Sequence, residues 1–275
     1  MGKNKIFDFG NKTYIMGILN FTPDSFSDGG KFFSVDTAVK HAIEMEKEGA
    51  DIIDIGGEST RPGSKPVSID EEMNRVIPVI KELVNKIKIP LSIDTYKSEV
   101  AKKSLDLGVF MINDITALRH DENLALLVAE HDVPICLMHM KGEPQNMQKN
   151  PIYNDVVKEV HDFLRERIDY AISSGVKKEN IIIDPGLGFG KRTGSGIEDN
   201  SEIIHRLSEL KDLGYPILIG ASRKTFIGNM CGCKRPLQVN ERLEGSIAAA
   251  CTAVMNGADI VRVHDVKETR QSLEL

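Results

Sequence analysis

Carboxylate and carboxamide side chains stand at the ends of several short apolar runs. Asp184 directly follows residues 181–183, three isoleucines, and Asp94 and Asn113 end two other runs of this kind. A single acid in such a place most often caps the next helix. If the three strands end at the same mouth of a barrel, Asp94, Asn113 and Asp184 would instead face a shared pocket. Their side-chain oxygens could there accept hydrogen bonds from the N–H groups of a ligand.

Cationic side chains suited to an anion occur in three other places. Arg61 follows Thr60 in a segment rich in glycine and proline, and residues 222–224, Ser-Arg-Lys, open a predicted helix whose backbone N–H groups could bind an anion. Arg262 and His264 are two apart in a predicted strand and therefore share one face of it. The pattern predicts that these cations bind a polyphosphate.

Apolar side chains accompany the polar ones. Met138 ends the fifth apolar run, and Phe189 lies in a glycine-rich loop after Asp184, so both are predicted walls of the same cavity. We interpret His139 as a hydrogen-bonded histidine just outside the barrel, without a role in the site.

The elements that position these residues form a regular series. Eight apolar runs each lead into a polar residue or glycine, with helical stretches between them, which is the pattern of an α/β protein of the (β/α)8 TIM barrel class. We expect one domain over residues 1–275, with a short N-terminal β-hairpin (5–9 and 12–15) that closes the bottom of the barrel. The predicted strands are 14–20, 51–56, 91–94, 109–114, 135–139, 181–184, 217–220 and 260–264.

Two long loops follow the first two predicted strands, at residues 20–34 and 57–68. Loops of this length are usually functional, and we interpret the second as a mobile lid segment; the alternatives are a disordered excursion for the first and a solvated turn for the second. Ser34 should cap the helix after the first loop, and Ser68 with Glu71 should form a capping box for a helix that runs to about residue 86.

Composition excludes several classes of protein. The chain has 35 basic and 41 acidic residues, which argues against nucleic acid as a partner. No apolar run reaches membrane-spanning length, so we expect no membrane partner and a cytoplasmic location. Cys231 and Cys233 are a weak metal or redox signal, better explained as loop residues. The helix 245–255 is apolar almost all round, which predicts a second buried face and hence a homodimer.

The sequence resembles the dihydropteroate synthase family over nearly its whole length. The motifs that carry the resemblance are residues 17–30, 57–63, 184–191, 222–224 and 262–264. The resemblance implies condensation of 6-hydroxymethyl-7,8-dihydropterin diphosphate with 4-aminobenzoate to 7,8-dihydropteroate and pyrophosphate, with Mg²⁺ as cofactor, and it implies a sulfonamide target. The chain departs from the family pattern in two places, where the segment after Lys191 and the segment 229–240 are each longer than usual in the family.

Chemistry and resemblance together assign the site residues. The pterin is expected to contact Asp184, Asn113, Asp94, Lys224, Met138 and Phe189. The diphosphate is expected against Asn20, Thr60, Arg61, Arg262 and His264, with Asn20 as the metal ligand. The 4-aminobenzoate would lie among Phe26, Thr60, Pro62 and Ser222. The predicted catalytic residues are Asp94, Arg61, Lys224, Arg262 and His264, in a substitution that begins with ionisation.

Two other functions remain open on the sequence alone. A methyltetrahydrofolate:corrinoid methyltransferase would share the pterin-binding barrel and the strand-end acids but has no diphosphate to hold. The residues that favour the synthase are therefore Asn20, Thr60, Arg61, Arg262 and His264. A non-catalytic pterin-binding relative should have lost an anion-binding residue, and none of the expected ones is missing.

Overall fold

The computed structural model describes residues 7–22, 34–194, 196–232 and 235–274. Within them, eight parallel strands alternate with helices. The strands are β1 (Tyr14–Asn20), β2 (Ile52–Gly56), β3 (Leu91–Asp94), β4 (Met111–Asp114), β5 (Ile135–Met138), β6 (Ile181–Asp184), β7 (Leu218–Ile219) and β8 (Ile260–Val263). The helices are α1 (Val35–Lys47), α2 (Ile69–Leu83), α3 (Ser98–Asp106), α4 (Glu122–His131), α5 (Val156–Ser173), α6 (Asp199–His205), α7 (Thr225–Cys231), α8 (Leu243–Met255) and α9 (Val266–Leu273).

The strands form a nearly closed barrel. Their hydrogen-bonded order is β6-β5-β4-β3-β2-β1-β8-β7. A single bridge between Ile183 and Ile217 joins the two ends of this series, and the N–H of Ile183 donates to the carbonyl of Pro216 at 2.9 Å. The predicted (β/α)8 architecture is confirmed.

The inward-facing side chains of the strands are apolar at the bottom of the barrel and polar at its mouth. Ile52, Met111, Ile182 and Ile260 belong to one buried apolar cluster near the bottom. Side chains two apart point to the same side of a strand. The next inward positions are therefore the polar residues Asp54, Asn113, Asp184 and Arg262, one from each of the same four strands.

Helices α1 and α2 begin at the predicted capping serines, but the capping box at Ser68 is only half formed, because the Glu71 carboxylate pairs with Arg75. The Ser34 hydroxyl accepts the N–H of Thr37 at 3.2 Å, and the Ser68 hydroxyl accepts the N–H of Glu71 at 3.2 Å. Helix α2 ends at Leu83, three residues earlier than predicted. The apolar faces of the helices pack on the outside of the barrel in a second, larger cluster.

The predicted N-terminal hairpin is wrong for the residues that the structure describes. Residues 7–13 contain a turn and no strand, because the chain enters β1 directly at Tyr14. The expected closure of the barrel bottom comes instead from aromatic packing. The Phe7 ring lies 5.1 Å from that of Tyr14 and 5.8 Å from that of Phe110, centre to centre.

Helix α8 is buried on one side only in the single chain. Ala250 and Ala253 are buried, whereas Ala248 is exposed and Met255 is 87% exposed. The dimer predicted from this helix stays a prediction. In the part of the chain that is described, no helix is long and apolar enough to cross a bilayer.

Candidate active site

Strand register brings four of the strands to a common level at the barrel mouth. Asn20 of β1 pairs with Gly56 of β2, Gly56 with Asp94 of β3, and Asp94 with Asn113 of β4. The absence of a side chain at Gly56 leaves room there, since a Cβ at Gly56 would lie 3.2 Å from the Asn20 side-chain oxygen. The register thus places the Asn20 carboxamide near the Asp94 carboxylate.

Arg262 joins two acids below this level. Its Nε donates to Asp54 at 2.7 Å, and one terminal nitrogen donates to Asp94 at 2.9 Å. The Asn113 side-chain N–H donates to the same Asp54 oxygen at 2.9 Å. In the free protein Arg262 therefore neutralises acids at the mouth, and it is less available to an anion than the sequence suggested.

Burial dominates the electrostatics of this cluster. It raises the pKa of Asp94 to about 7, against the opposing charge of Arg262 and with support from the charge of Asp54. Asp54 is fully buried, and within the described residues its second oxygen has no hydrogen-bond partner. Ionised acids in such a place depend on the nearby cation.

A cavity opens above the cluster. It is lined by residues of the strand ends and of the loop after β2: Asn20, Thr22, Glu58, Ser59, Thr60, Arg61, Asp94 and Arg262. Five of these, Asn20, Thr60, Arg61, Asp94 and Arg262, are residues that the sequence assigned to the site. The structure thus brings Thr60, Arg61 and Arg262, three of the predicted anion-binding residues, together with Asp94 around one cavity.

A second group of predicted residues lies at the end of β6. One Asp184 oxygen accepts the N–H of Gly186 at 2.7 Å, and burial raises the pKa of this acid above its usual range although Lys224 opposes the shift. The Lys224 ammonium donates to the carbonyl of Leu187 and lies 4.4 Å from the centre of the Phe189 ring. Burial lowers the pKa of Lys224 to about 8, against the charge of Asp184.

Apolar side chains line this second group. Met138 is buried with four neighbours from other loops and strand ends, and Phe189 packs against the cluster that they form. The cluster consists of Tyr96, Ile115, Met138, Met140 and Met147. The arrangement offers a flat ligand an apolar wall with a carboxylate and an ammonium beside it.

The glycine loop after Asp184 is held close to the end of β5. A Cβ at Gly186 would lie 1.9 Å from the carbonyl oxygen of His139, and both Gly186 and Gly190 have positive φ, so only glycine fits. The fully buried Lys191 donates to the carbonyl of Gly186 at 2.8 Å and lies 2.9 Å from Nδ1 of His139. His139 is thus a buried, hydrogen-bonded residue, as the sequence indicated.

Ser222 and His264 form a pair. The Ser222 hydroxyl accepts the backbone N–H of His264 at 3.2 Å and lies 3.0 Å from Nδ1 of the ring. Burial, with Arg223 and Arg262 nearby, lowers the pKa of His264 to about 3. This pKa favours the uncharged imidazole in the free protein, so the contact that His264 can offer an anion there is a hydrogen bond. The contact fits either tautomer of the ring; when the Ser222 hydroxyl donates to Nδ1, Nε2 carries the proton and can donate to an anion.

The predicted anion site at the start of α7 is not formed in the expected way. Arg223 is paired with Asp265 through its Nε at 3.0 Å, Ser222 is engaged by His264, and Lys224 turns toward the glycine loop. Helix α7 has seven residues. Of these three residues, only Lys224, which caps α7, belongs to the group around Asp184.

Other predicted site features lie apart from the cavity or cannot be placed. Pro62 is exposed at the tip of the loop after β2. Phe26, and residues 23–33 of the first long loop with it, lie outside the described residues, as does Cys233. The longer segment after Lys191 is ordered by a bidentate pair between Arg192 and Asp199, which contact at 2.8 to 3.1 Å.

Sequence reasoning missed Asp54, the acid that joins Asn113 to Arg262. The sequence did contain a signal for Asp54, because this acid interrupts an apolar run. It also stands two places before Gly56 and therefore points to the same side of the strand as the residues at the barrel mouth. It also missed the residues that fix the loop after β2, for which the sequence offers no comparable signal.

The fold and the site define an enzyme of the TIM barrel class. The mouth of its barrel carries acidic and cationic side chains, and an apolar wall lies beside them. Residues 16–264 match the family described as pterin binding enzyme. Among curated relatives, the dihydropteroate synthase of Clostridium beijerinckii is 48% identical over 99% of this chain and 96% of its own length. The dihydropteroate synthase of Escherichia coli is 45% identical over 95% of this chain and 90% of its own length.

Solved structures of dihydropteroate synthases resemble this chain in sequence and in fold. Dihydropteroate synthase of Xanthomonas albilineans with 4-aminobenzoic acid is 46% identical with a TM-score of 0.88, covering 96% of this chain and 92% of that one. The enzyme of Yersinia pestis with a sulfonamide drug complex is 42% identical, also with a TM-score of 0.88, covering 95% and 92%. The chain belongs to the dihydropteroate synthase family of pterin-binding enzymes, which are transferases of folate synthesis.

Proposed function

We propose that this chain condenses 6-hydroxymethyl-7,8-dihydropterin diphosphate with 4-aminobenzoate, by a substitution that begins with departure of pyrophosphate. The observation that carries the proposal is the cavity in which Thr60, Arg61 and Arg262 surround the Asp94 carboxylate. A reaction that separates a diphosphate from a cationic carbon needs cations on one side and a carboxylate on the other.

The pterin is proposed to bind at the end of β6. Its 2-amino group and ring N3–H are donors that suit the buried carboxylate of Asp184, while Lys224 and Asn113 can meet the remaining polar edges. Met138 and Phe189 supply apolar contact to the ring. Because Lys224 lies beside Phe189, one face of a flat ligand there would also meet a positive charge.

The diphosphate is proposed to bind in the cavity against Thr60, Arg61 and Arg262, with a hydrogen bond from neutral His264. Mg²⁺ relies on few protein oxygens when substrate phosphates supply the rest. The residues present fit this mode, because Asn20 lines the cavity with its side-chain oxygen near Asp94. Bound there, the metal would stabilise negative charge on the phosphate oxygens.

The chemical step follows from the charges of these residues. As the bond to the diphosphate breaks, Arg61 and Arg262 stabilise the leaving anion, and ionised Asp94 stabilises the cationic methylene carbon. The aromatic amine of 4-aminobenzoate is uncharged at neutral pH and attacks the methylene carbon through its nitrogen lone pair. The proton that the nitrogen then loses passes to the released pyrophosphate, so no strong base is needed. Glu58 is the other acid at the cavity, but both of its oxygens accept hydrogen bonds from Tyr96 and Lys97. It is therefore not a base.

The second substrate is proposed to lie toward the two loops, near Thr60, Pro62, Ser222 and Phe26. Sulfonamides would bind in the same place. Structures of relatives with 4-aminobenzoic acid and with a sulfonamide support this part of the proposal.

We further propose a cytoplasmic homodimer built from one barrel domain per chain. The exposed side of α8, with Ala248 and Met255, would pack against the partner subunit. The cysteines are consistent with a reducing compartment, since Cys136 is buried and unpaired and Cys231 is exposed and unpaired.

The direct test is to incubate the purified protein with the pterin diphosphate, 4-aminobenzoate and Mg²⁺ and to measure pyrophosphate release. Release that depends on 4-aminobenzoate supports the synthase. Release without it points to simple hydrolysis, and methyl transfer from a methylated folate would support the corrinoid methyltransferase instead. Asp94→Asn is the matched negative control, because it keeps the shape of the site and removes the carboxylate charge.

A further inference from the structure

The loop that carries Thr60 and Arg61 has a buried base and an exposed tip. It leaves the barrel at Gly57, which is buried against α2, and its tip at residues 61–63 is exposed. The chain returns at Val67, just before α2. Both ends of the loop meet one ammonium group, that of Lys97.

Lys97 stands immediately before α3 and is only 7% exposed. Its Nζ lies 2.5 Å from a carboxylate oxygen of Glu58, at the start of the loop, and donates to the carbonyl of Val67, at its end, at 2.9 Å. A third contact, 2.5 Å long, goes to Glu72 of α2. The three donors of the ammonium are thus divided between the two ends of the loop and the helix that follows.

Glu58 strengthens this anchor from the loop side. Its first oxygen accepts the hydroxyl of Tyr96 at 2.7 Å, and its second accepts the N–H of Val67 at 3.4 Å in addition to Lys97. One side chain at the start of the loop therefore touches the residue at its end. Hydrogen bonds between ionised partners are shorter and stronger than neutral ones, so the arrangement fixes the base of the loop firmly.

The tip is held by other contacts. The N–H of Gly63 donates to the carbonyl of Pro144 and that of Ser64 to the carbonyl of Arg61, both at 3.0 Å. These are backbone bonds in an exposed segment, which is the kind that opens most easily. The base and the tip can therefore respond differently to a change in one side chain.

We propose that Lys97 is a positioning residue of the active site, which holds both ends of the loop 57–67 and so fixes Thr60 and Arg61 over the cavity. Lys97 does not touch the substrate in this arrangement. The inference rests on the proposed function for the role of Thr60 and Arg61, whereas the anchoring itself is a property of the free protein.

The test compares two matched substitutions in the same cluster. Glu58→Gln and Glu72→Gln each remove one negative charge from a group that contacts Lys97, but only Glu58 belongs to the loop. Lys97→Met removes the ammonium itself, and Lys97→Arg restores a cation. Burial raises the pKa of Glu72 and Lys97 opposes this shift, so Lys97→Met should raise the pKa of Glu72 further.

Three quantities are measured for each variant: amide hydrogen exchange by mass spectrometry, the affinity for a pterin without diphosphate, and the kinetic constants for 4-aminobenzoate. For Lys97→Met and Glu58→Gln we expect exchange at residues 57–68 to quicken about tenfold, with a similar rise in KM, the scale of one charge-assisted hydrogen bond. Pterin affinity and exchange in the barrel strands should be unchanged. Glu72→Gln should change exchange and KM less than about twofold, a few tenths of a kcal/mol at most, and Lys97→Arg should recover part of the loss.

Three outcomes would overturn the inference. They are quicker exchange throughout the barrel, equal effects of Glu58→Gln and Glu72→Gln, or loss of pterin affinity in step with KM. If Lys97→Met does not fold, the comparison of the two glutamine variants decides alone. Failure of the proposed function is recognised separately, because the unchanged protein would then release no pyrophosphate while the exchange at residues 57–68 still reports the anchor.

Discussion

Replacing Arg262 by methionine should destabilise the protein in a way that depends on pH. Arg262 bridges Asp54 and Asp94 at 2.7 and 2.9 Å, and the Asp54 side chain is fully buried. Removing one partner of a buried ion pair costs about 3–5 kcal/mol, because the other charge is left uncompensated. We expect a loss of that size at pH 8 in urea unfolding.

Part of this loss should disappear at low pH. The folded pKa of Asp94 is already raised to about 7 from an unfolded value of about 3.9, so its ionisation opposes folding as pH rises through that window. Removing Arg262 raises the folded pKa further, and each added unit costs about 1.4 kcal/mol once the pH is above the new value. At pH 5 Asp94 is protonated in both folded proteins, so this contribution is absent.

The assay is urea unfolding of both proteins at pH 5 and pH 8, followed by circular dichroism. Arg262→Met with Asp94→Asn is the control, since it lacks the titrating acid and should lose stability almost equally at the two pH values. An equal loss at pH 5 and pH 8 in the single variant would refute the reasoning, because it would show that Arg262 acts through packing or through Asp54 and not through the charge of Asp94.

Four further outcomes are expected. Asp184→Ala should weaken binding of bare pterin at least tenfold in calorimetry, because each unpaired buried donor costs about 1–3 kcal/mol, while the circular dichroism spectrum stays unchanged. The rate should fall below about pH 7 as Asp94 is protonated and above about pH 8 as Lys224 loses its proton, and a pH–rate profile of Asp94→Asn should lack the acid limb. Light scattering should give a dimer at micromolar concentration, and Met255→Arg should shift it toward monomer. Pyrophosphate with Mg²⁺ should increase the affinity for 4-aminobenzoate in protein that holds pterin, since closing the loops assembles the second pocket; equal calorimetric affinities would mean that the pocket is preformed.

The sequence by itself determined the architecture and most members of the site. Eight apolar runs that end in polar residues can only satisfy their backbone groups and bury both faces as parallel strands covered by helices, and this required no knowledge of long-range contacts. The capping serines Ser34 and Ser68 were equally readable, because a cap depends on residues a few places apart. Asp94, Asn113 and Asp184 were recognised since they interrupt or end apolar runs.

Tertiary structure decided what these residues are paired with, and hence their charge. Arg262 and Asp54 are 208 residues apart in sequence, and no local pattern indicates that one neutralises the other. The residue type of His264 does not give its protonation, and burial in the folded barrel lowers its pKa to about 3. No local sequence pattern distinguishes Lys97 from a surface lysine before a helix. Its place at the base of the active-site loop depends on contacts with Glu58, Val67 and Glu72, which come from separate segments. The protonation and the positions of these side chains depend on distances between separate segments of the chain. Those distances are set only when the barrel folds and closes.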